Sequence, residues 1–240
     1  MQRQNWAGLV LLAGVASAQA VVITPTYTTF AYLTPAQLAA ITFTGSGINN
    51  AGPVAVTTFA SVAPAPVSGV TMALSATPRV SGAFTGAPVA DNGAGTYFAQ
   101  TGASPAAGSN NAGWNFNFAL LGDTRGLTFE FFADTDPGVG TNVLSLPTVN
   151  AFFTGGAASA QNTQGSTNLG FAPWDTNFTF DPNVQGEYTF SLRAFDGASL
   201  VGEVAMQVNV VPEPEAYGLA LAGMAVVGFF GLRRKAVPKA

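Results

Sequence analysis

The sequence predicts an all-β, sandwich-like domain with one apolar helix at either end, and three observations carry that expectation. Glycine and proline are frequent, at 28 and 15 of 240 residues, and phenylalanine at 19 is the dominant aromatic. That mixture suits short strands joined by many turns. Hydrophobic residues make up 48% of the chain against 8% charged, which is too apolar for disorder. Several stretches of the C-terminal half alternate apolar and polar residues with the period of two that a strand requires. Cysteine is absent, so stability must come from packing, without disulfides or thiolate metal sites.

The elements follow in chain order. Between residues 21 and 107 the strands read weakly: short stretches such as Val21-Val-Ile-Thr24 and Thr71-Met-Ala-Leu74 are broken by Pro and Gly. Within them, Thr34-Pro-Ala-Gln-Leu-Ala-Ala40 predicts a capped helical turn, Thr34 as N-cap and Pro35 at the first helical position. From 108 to 211 the pattern is clear. Trp114, Phe116, Phe118 and Leu120 alternate with Asn115, Asn117 and Ala119, which predicts a half-buried strand. Gly122-Asp-Thr-Arg-Gly126 predicts a turn, after which Leu127, Phe129 and Phe131 resume the alternation, so the two runs read as a hairpin or as neighbouring strands.

A last pair of runs, 187–195 and 200–210, flanks the turn sequence Asp196-Gly-Ala-Ser199. Their inward sets are predicted as Tyr188, Phe190, Leu192 and Ala194, and as Val204, Met206, Val208 and Val210. Gly186-x-Tyr188-x-Phe190-x-Leu192, then Asp-Gly, then an alternating valine strand resembles the last two strands of an immunoglobulin-like sandwich, with Tyr188 placed as in a tyrosine corner. The resemblance implies a fold and no activity.

The two ends read as addresses. Residues 1–20 combine Arg3, the apolar run Ala7 to Val15 and the small-residue sites Ala16-Ser-Ala18 and Ala18-Gln-Ala20. That order is a secretory signal peptide cut by signal peptidase after Ala20 or Ala18. Near the other end, Ala216 to Leu232 is free of charge and is followed at once by Arg233-Arg234-Lys235. Seventeen helical residues reach about 25 Å, enough for a thin bilayer, and the basic cluster keeps its side cytoplasmic. Val211 and all before it then lie outside the inner membrane. This divides the chain into a signal peptide (1–20), an exported domain (21–211) and a tail (212–240).

Immediately before that span stands Pro212-Glu213-Pro214. Two prolines fix an extended, unpaired backbone and Glu213 places a charge that stays out of the bilayer. Pro-Glu-Pro, an apolar span and a terminal Arg-rich cluster, in that order, resemble the PEP-CTERM sorting signal of Gram-negative bacteria. The resemblance implies export, an inner-membrane precursor, processing by an exosortase, and delivery to the cell surface or the medium in species that make exopolysaccharide. Residues 114–210 are also similar to the ectodomains of some other PEP-CTERM proteins, which adds to the address and brings no activity.

Composition restricts the chemistry of the exported part. Histidine and cysteine are absent and the lysines stand only at 235 and 239, so Ser-His-Asp, Cys-His and Ser-Lys nucleophiles and histidine metal sites are excluded there. Three Arg (Arg79, Arg125, Arg193) face ten acidic residues between 21 and 211, a balance of −7, so nucleic acid is not expected as a partner. A glycosidase-like carboxylate pair from Asp123, Glu130, Asp134, Asp136, Asp175, Asp181 and Glu187 remains open. Asp134-Thr-Asp136-Pro-Gly138 is the nearest approach to a Ca²⁺ loop, but the twelfth position is Ser145 where an EF-hand needs Glu. No cofactor is expected. Trp114, Trp174 and Tyr97 could stack on sugar rings or fill the core. The expected role is that of a non-enzymatic structural or adhesive protein associated with exopolysaccharide, with a carbohydrate-binding module and a carboxylate-dependent glycoside hydrolase as the rival readings.

Overall fold

The computed structural model describes residues 23–40, 52–62, 69–81, 84–104, 110–138, 143–145, 163–171 and 178–212. The expected signal helix and membrane helix lie outside them. Strands β1 (Thr29–Ala31), β2 (Val54–Phe59), β3 (Val70–Pro78), β4 (Val80–Ser81), β5 (Phe84–Thr85), β6 (Ala90–Asp91), β7 (Thr96–Gln100), β8 (Trp114–Leu121), β9 (Leu127–Asp134), β10 (Val143–Ser145), β11 (Thr163–Thr167), β12 (Gly186–Asp196) and β13 (Ser199–Val211) dominate, with one short helix, α1 (Pro35–Ala40). They form a five-stranded sheet in the order β1-β2-β3-β8-β11 and a six-stranded sheet in the order β10-β9-β12-β13-β7-β6, with β4 and β5 as a small separate ribbon. All-β is therefore what the alternation and composition produce.

The two larger sheets meet through their aromatic faces. Phe116 of β8 stacks on Phe190 of β12 at 4.3 Å and on Phe131 of β9 at 5.5 Å, and Trp114 meets Phe190 edge-on at 6.3 Å. Such pairs add roughly 0.5–1.5 kcal/mol each beyond the burial of their area. All eight residues named as the inward sets of the last two strands are buried, none more than 4% exposed. β12 and β13 pair antiparallel from Gly186↔Val210 to Asp196↔Ser199. Gly197 takes φ +57°, the left-handed conformation a tight hairpin asks of its first loop residue. The register shifts between Ala194 and Phe195, which pair with Gly202 and Leu200, so Val201 is the extra residue of a bulge.

Two expectations are corrected. β8 and β9 are neither a hairpin nor neighbours, because β8 pairs with β3 and β11 and β9 with β12 and β10. The segment between them crosses from one sheet to the other, so the two aromatic rows face each other across the core instead of lying side by side. Nor is β8 half-buried: all eight of its residues are buried. It sits inside its sheet, and its second face carries Asn117, at 0% exposure, which donates from Nδ2 to Thr77 Oγ1 (3.0 Å) and Ser75 Oγ (3.3 Å) of β3. Farther along that face, Ala119 joins Leu33, Val54, Val56 and Ala73 in a second apolar cluster against Leu38 of α1.

The helical turn forms as its sequence asks. Thr34 Oγ1 accepts from the Gln37 backbone N–H at 3.2 Å while Gln37 Oε1 accepts from the Thr34 N–H at 2.8 Å, a reciprocal capping box. In the weakly read N-terminal half, Thr71 to Leu74 lie in β3, which is buried almost throughout and pairs with β8 over eight residues. Ile23 and Thr24 form no strand, and Thr26 makes a two-bond bridge to Ala205.

Candidate sorting site at the end of the last strand

The last strand runs straight into Pro212. Val208 and Val210 are buried in the core on alternate positions, as the period of two dictates. Val210 pairs with Gly186 on one side and Ala99 on the other, and Val211 pairs with Gln100 in the parallel β13–β7 ladder. The Val211 carbonyl accepts from Thr101 N at 2.9 Å, so hydrogen bonding continues to the residue before the first proline. Pro212 is half-buried and outside the strand. Lacking an N–H, it cannot extend the ladder, and this ends the sheet there. Glu213, Pro214, Arg233, Arg234 and Lys235, together with Ala18 and Ala20, lie outside the described residues.

A shallow hollow of about 440 Å³ flanks this exit, lined by Pro137, Gly138, Gln185, Glu187, Asn209 and Val211 among others. Its rim is fixed locally. Glu187 N donates to Pro137 O at 3.2 Å, and Gly186 must be glycine because a Cβ there would come within 2.4 Å of the Pro137 ring. Periodicity reads β13 as a strand but cannot show that its last paired residue abuts the proline motif, since that depends on partners from residues 96–101 far away in sequence.

The two carboxylates considered for Ca²⁺ shape this loop. Asp134 Oδ1 accepts from Asp136 N at 3.1 Å, and Asp136 Oδ1 accepts from Gly138 N at 2.8 Å. These are successive Asx turns, the chemistry expected of aspartates at such positions. No group of three or more acidic side chains suited to a metal ion occurs among the described residues. Two more of the candidate carboxylates, Asp123 and Asp181, are engaged locally. Asp123 forms an ion pair with Arg125, whose guanidinium holds the carboxyl below its ordinary range. Asp181 Oδ1 accepts from Asn183 N at 2.9 Å. Asp175 lies outside the described residues.

Of the aromatics considered for stacking on sugars, Trp114 and Tyr97 are 2% and 3% exposed, both within the core, while Trp174 lies outside the described residues. A residue the sequence reading did not single out is Asn168. Buried after β11, it accepts at Oδ1 from Ala112 N (3.0 Å) and Gly170 N (3.1 Å) and donates from Nδ2 to Ala112 O (3.1 Å) and Trp114 O (2.6 Å). This ties the strand carrying Trp114 to the loop beside it.

Comparison with known proteins bears on the same end of the molecule. A family model described as the PEP-CTERM protein-sorting motif matches residues 210–235. The chain carries a PEP-CTERM sorting tail. Such a tail marks an exported protein with a membrane-anchored precursor stage and an exosortase as its processing partner. The match includes Pro212-Glu213-Pro214, the apolar run and Arg233-Arg234-Lys235, and it begins inside β13, at a valine that is 4% exposed. No curated protein and no solved structure matches the chain. Among the described residues no helix is long and apolar enough to cross a membrane, and residues 216–232 lie outside them.

Proposed function

We propose that this chain is a structural or adhesive protein of the cell surface or extracellular matrix of a Gram-negative bacterium, exported by way of a signal peptide cut at Ala18 or Ala20 and associated there with exopolysaccharide. The observation that carries the reading is the PEP-CTERM motif at 210–235, joined without a spacer to the last strand of a β-sandwich-like domain. In this reading residues 216–232 anchor the precursor, Arg233-Arg234-Lys235 keep their end cytoplasmic, and Pro212-Glu213-Pro214 presents an extended backbone for processing. An immunoglobulin-like sandwich is supported by the pairing of β12 with both β9 and β13 and by the parallel β7–β13 pair.

A passive role is favoured over sugar binding by the burial of Trp114 and Tyr97, because a stacking platform needs an exposed ring face. It is favoured over carboxylate hydrolysis by the use of Asp134, Asp136 and Asp181 in turns and of Asp123 in an ion pair. The test replaces Glu213 by Ala in the producing organism. Export and insertion should persist, since the apolar span and basic cluster are unchanged, while the full-length protein accumulates in the inner membrane as it does in an exosortase-deficient strain. A Glu213→Ala protein shortened and delivered like wild type would reduce the segment to a linker.

A further inference from the structure

We infer that the folded end of β13 restrains processing of the tail, so that Val210 and Val211 must leave the sheet before the sorting segment can enter a protease cleft. This rests on reading the tail as an exosortase substrate. Three features lead to it. The matched motif begins at residue 210, yet Val210 is a core residue paired on both sides and the Val211 carbonyl is bonded to Thr101 N. Only residues 212–215 separate the last paired residue from the apolar run. Four extended residues span at most about 14 Å, so the end of the sandwich bearing Thr101, Pro137 and Glu187 stands within that distance of the bilayer in the precursor.

A protease binds its substrate as extended backbone whose N–H and C=O groups are free to pair with the cleft. The groups of Val210 and Val211 are already taken by β12 and β7. The bulk of the sandwich also occupies the space where a membrane-embedded enzyme must approach. Strand ends open locally at much lower cost than the whole fold, and cleavage of such a site follows the population of the opened form. The rate of tail removal is therefore set in part by the sheet, and it keeps step with folding: a domain whose β13 has docked is processed slowly.

The experiment uses the full-length chain and follows the precursor-to-product ratio in a pulse-chase, in membranes of the producing organism. Two changes are made separately and together. The first inserts six Gly/Ser residues between Val211 and Pro212, which frees the motif from the sheet and lengthens its reach. The second pins the strand end with Gln100→Cys and Val211→Cys. These partners face each other in the β7–β13 register, and the strand spacing of about 4.8 Å suits a disulfide. The chain has no other cysteine.

We expect the insertion to speed processing severalfold. The oxidised pair should slow it about tenfold, with reductant restoring the rate, and should have no effect once the insertion is present. Because the reduced pair carries the same substitutions, a loss of recognition at Val211 is separated from the pin. Equal rates for wild type, insertion and oxidised pair overturn the inference alone. Tail removal that persists unchanged in an exosortase-deficient strain overturns the sorting reading and this inference with it.

Discussion

Two tyrosines are buried where their phenols lose water. Tyr97 donates to Pro53 O at 2.9 Å, and burial, with Asp91 nearby, pushes its phenol well up. Tyr188 packs against Trp114 and Phe180, and burial, reinforced by Asp181, Asp134 and Asp136, pushes it up to about 12. The neutral phenol is thus favoured in the folded state. Below the ordinary tyrosine pKa of about 10 both states hold the proton and stability is unaffected. Above it the unfolded chain releases protons that the folded chain retains, so stability falls as pH rises, by up to about 1.4 kcal/mol per pH unit for each such tyrosine. Urea midpoints of the exported domain should hold level up to a pH of about 9.5 and decline from there to about 12. Tyr188→Phe should flatten the decline measurably, and an unchanged slope would show that Tyr188 is not buried as described.

The elements show what local pattern can and cannot specify. β12 and β13 were legible because their inward sets, their turn and their pairing are contiguous in sequence. The N-cap at Thr34 was legible because cap and first helical turn are contiguous in sequence, whereas the return bond from Gln37 was seen only in the structure. The partners of β8 and β9 were not, because alternation states which face is apolar and leaves open which sheet the strand joins. The polar positions of β8 misled for a related reason: Asn117 reads as a solvent residue, and its buried state depends on Ser75 and Thr77 of β3, some forty residues away. At the sorting site, the proline motif was legible in full, whereas its abutment on a paired strand depended on Thr101. The crossing between β8 and β9 begins at Gly122, with φ +91°, where a Cβ would come within 2.2 Å of Gly69 O. Gly197 has φ +57° and open space around it. Gly197→Ala should therefore cost about 1 kcal/mol, the left-handed penalty alone, and Gly122→Ala about 3 kcal/mol or more, since a backbone must also move. Chemical denaturation of the two variants side by side checks the ordering, and equal losses would remove the argument from close approach.

For the molecule as a whole, the position of β13 limits where the tail can be cut. The strand lies inside the six-stranded sheet, between β12 and β7, and brings Val204, Ala205, Met206, Val208 and Val210 into the core at 0–4% exposure. Loss of a single large core side chain costs about 2–5 kcal/mol, and a whole domain is stable by only about 5–15 kcal/mol. Removing Met206, Val208 and Val210 together, along with their ladder hydrogen bonds, exhausts that margin. Removing everything after Pro212 takes away nothing that pairs within the described sheets. A chain of residues 21–212 should accordingly unfold cooperatively and give a strand-type far-UV circular dichroism spectrum without added metal or oxidant, while one ending at Ala205 should be unfolded or aggregated. It follows that an exosortase product that stays folded retains these core valines and has its C-terminus at or beyond Val210. Intact-mass measurement of the processed protein decides the matter, and a folded, processed form ending before Val210 would show that the end of β13 is dispensable and that the tail is not bounded by the fold.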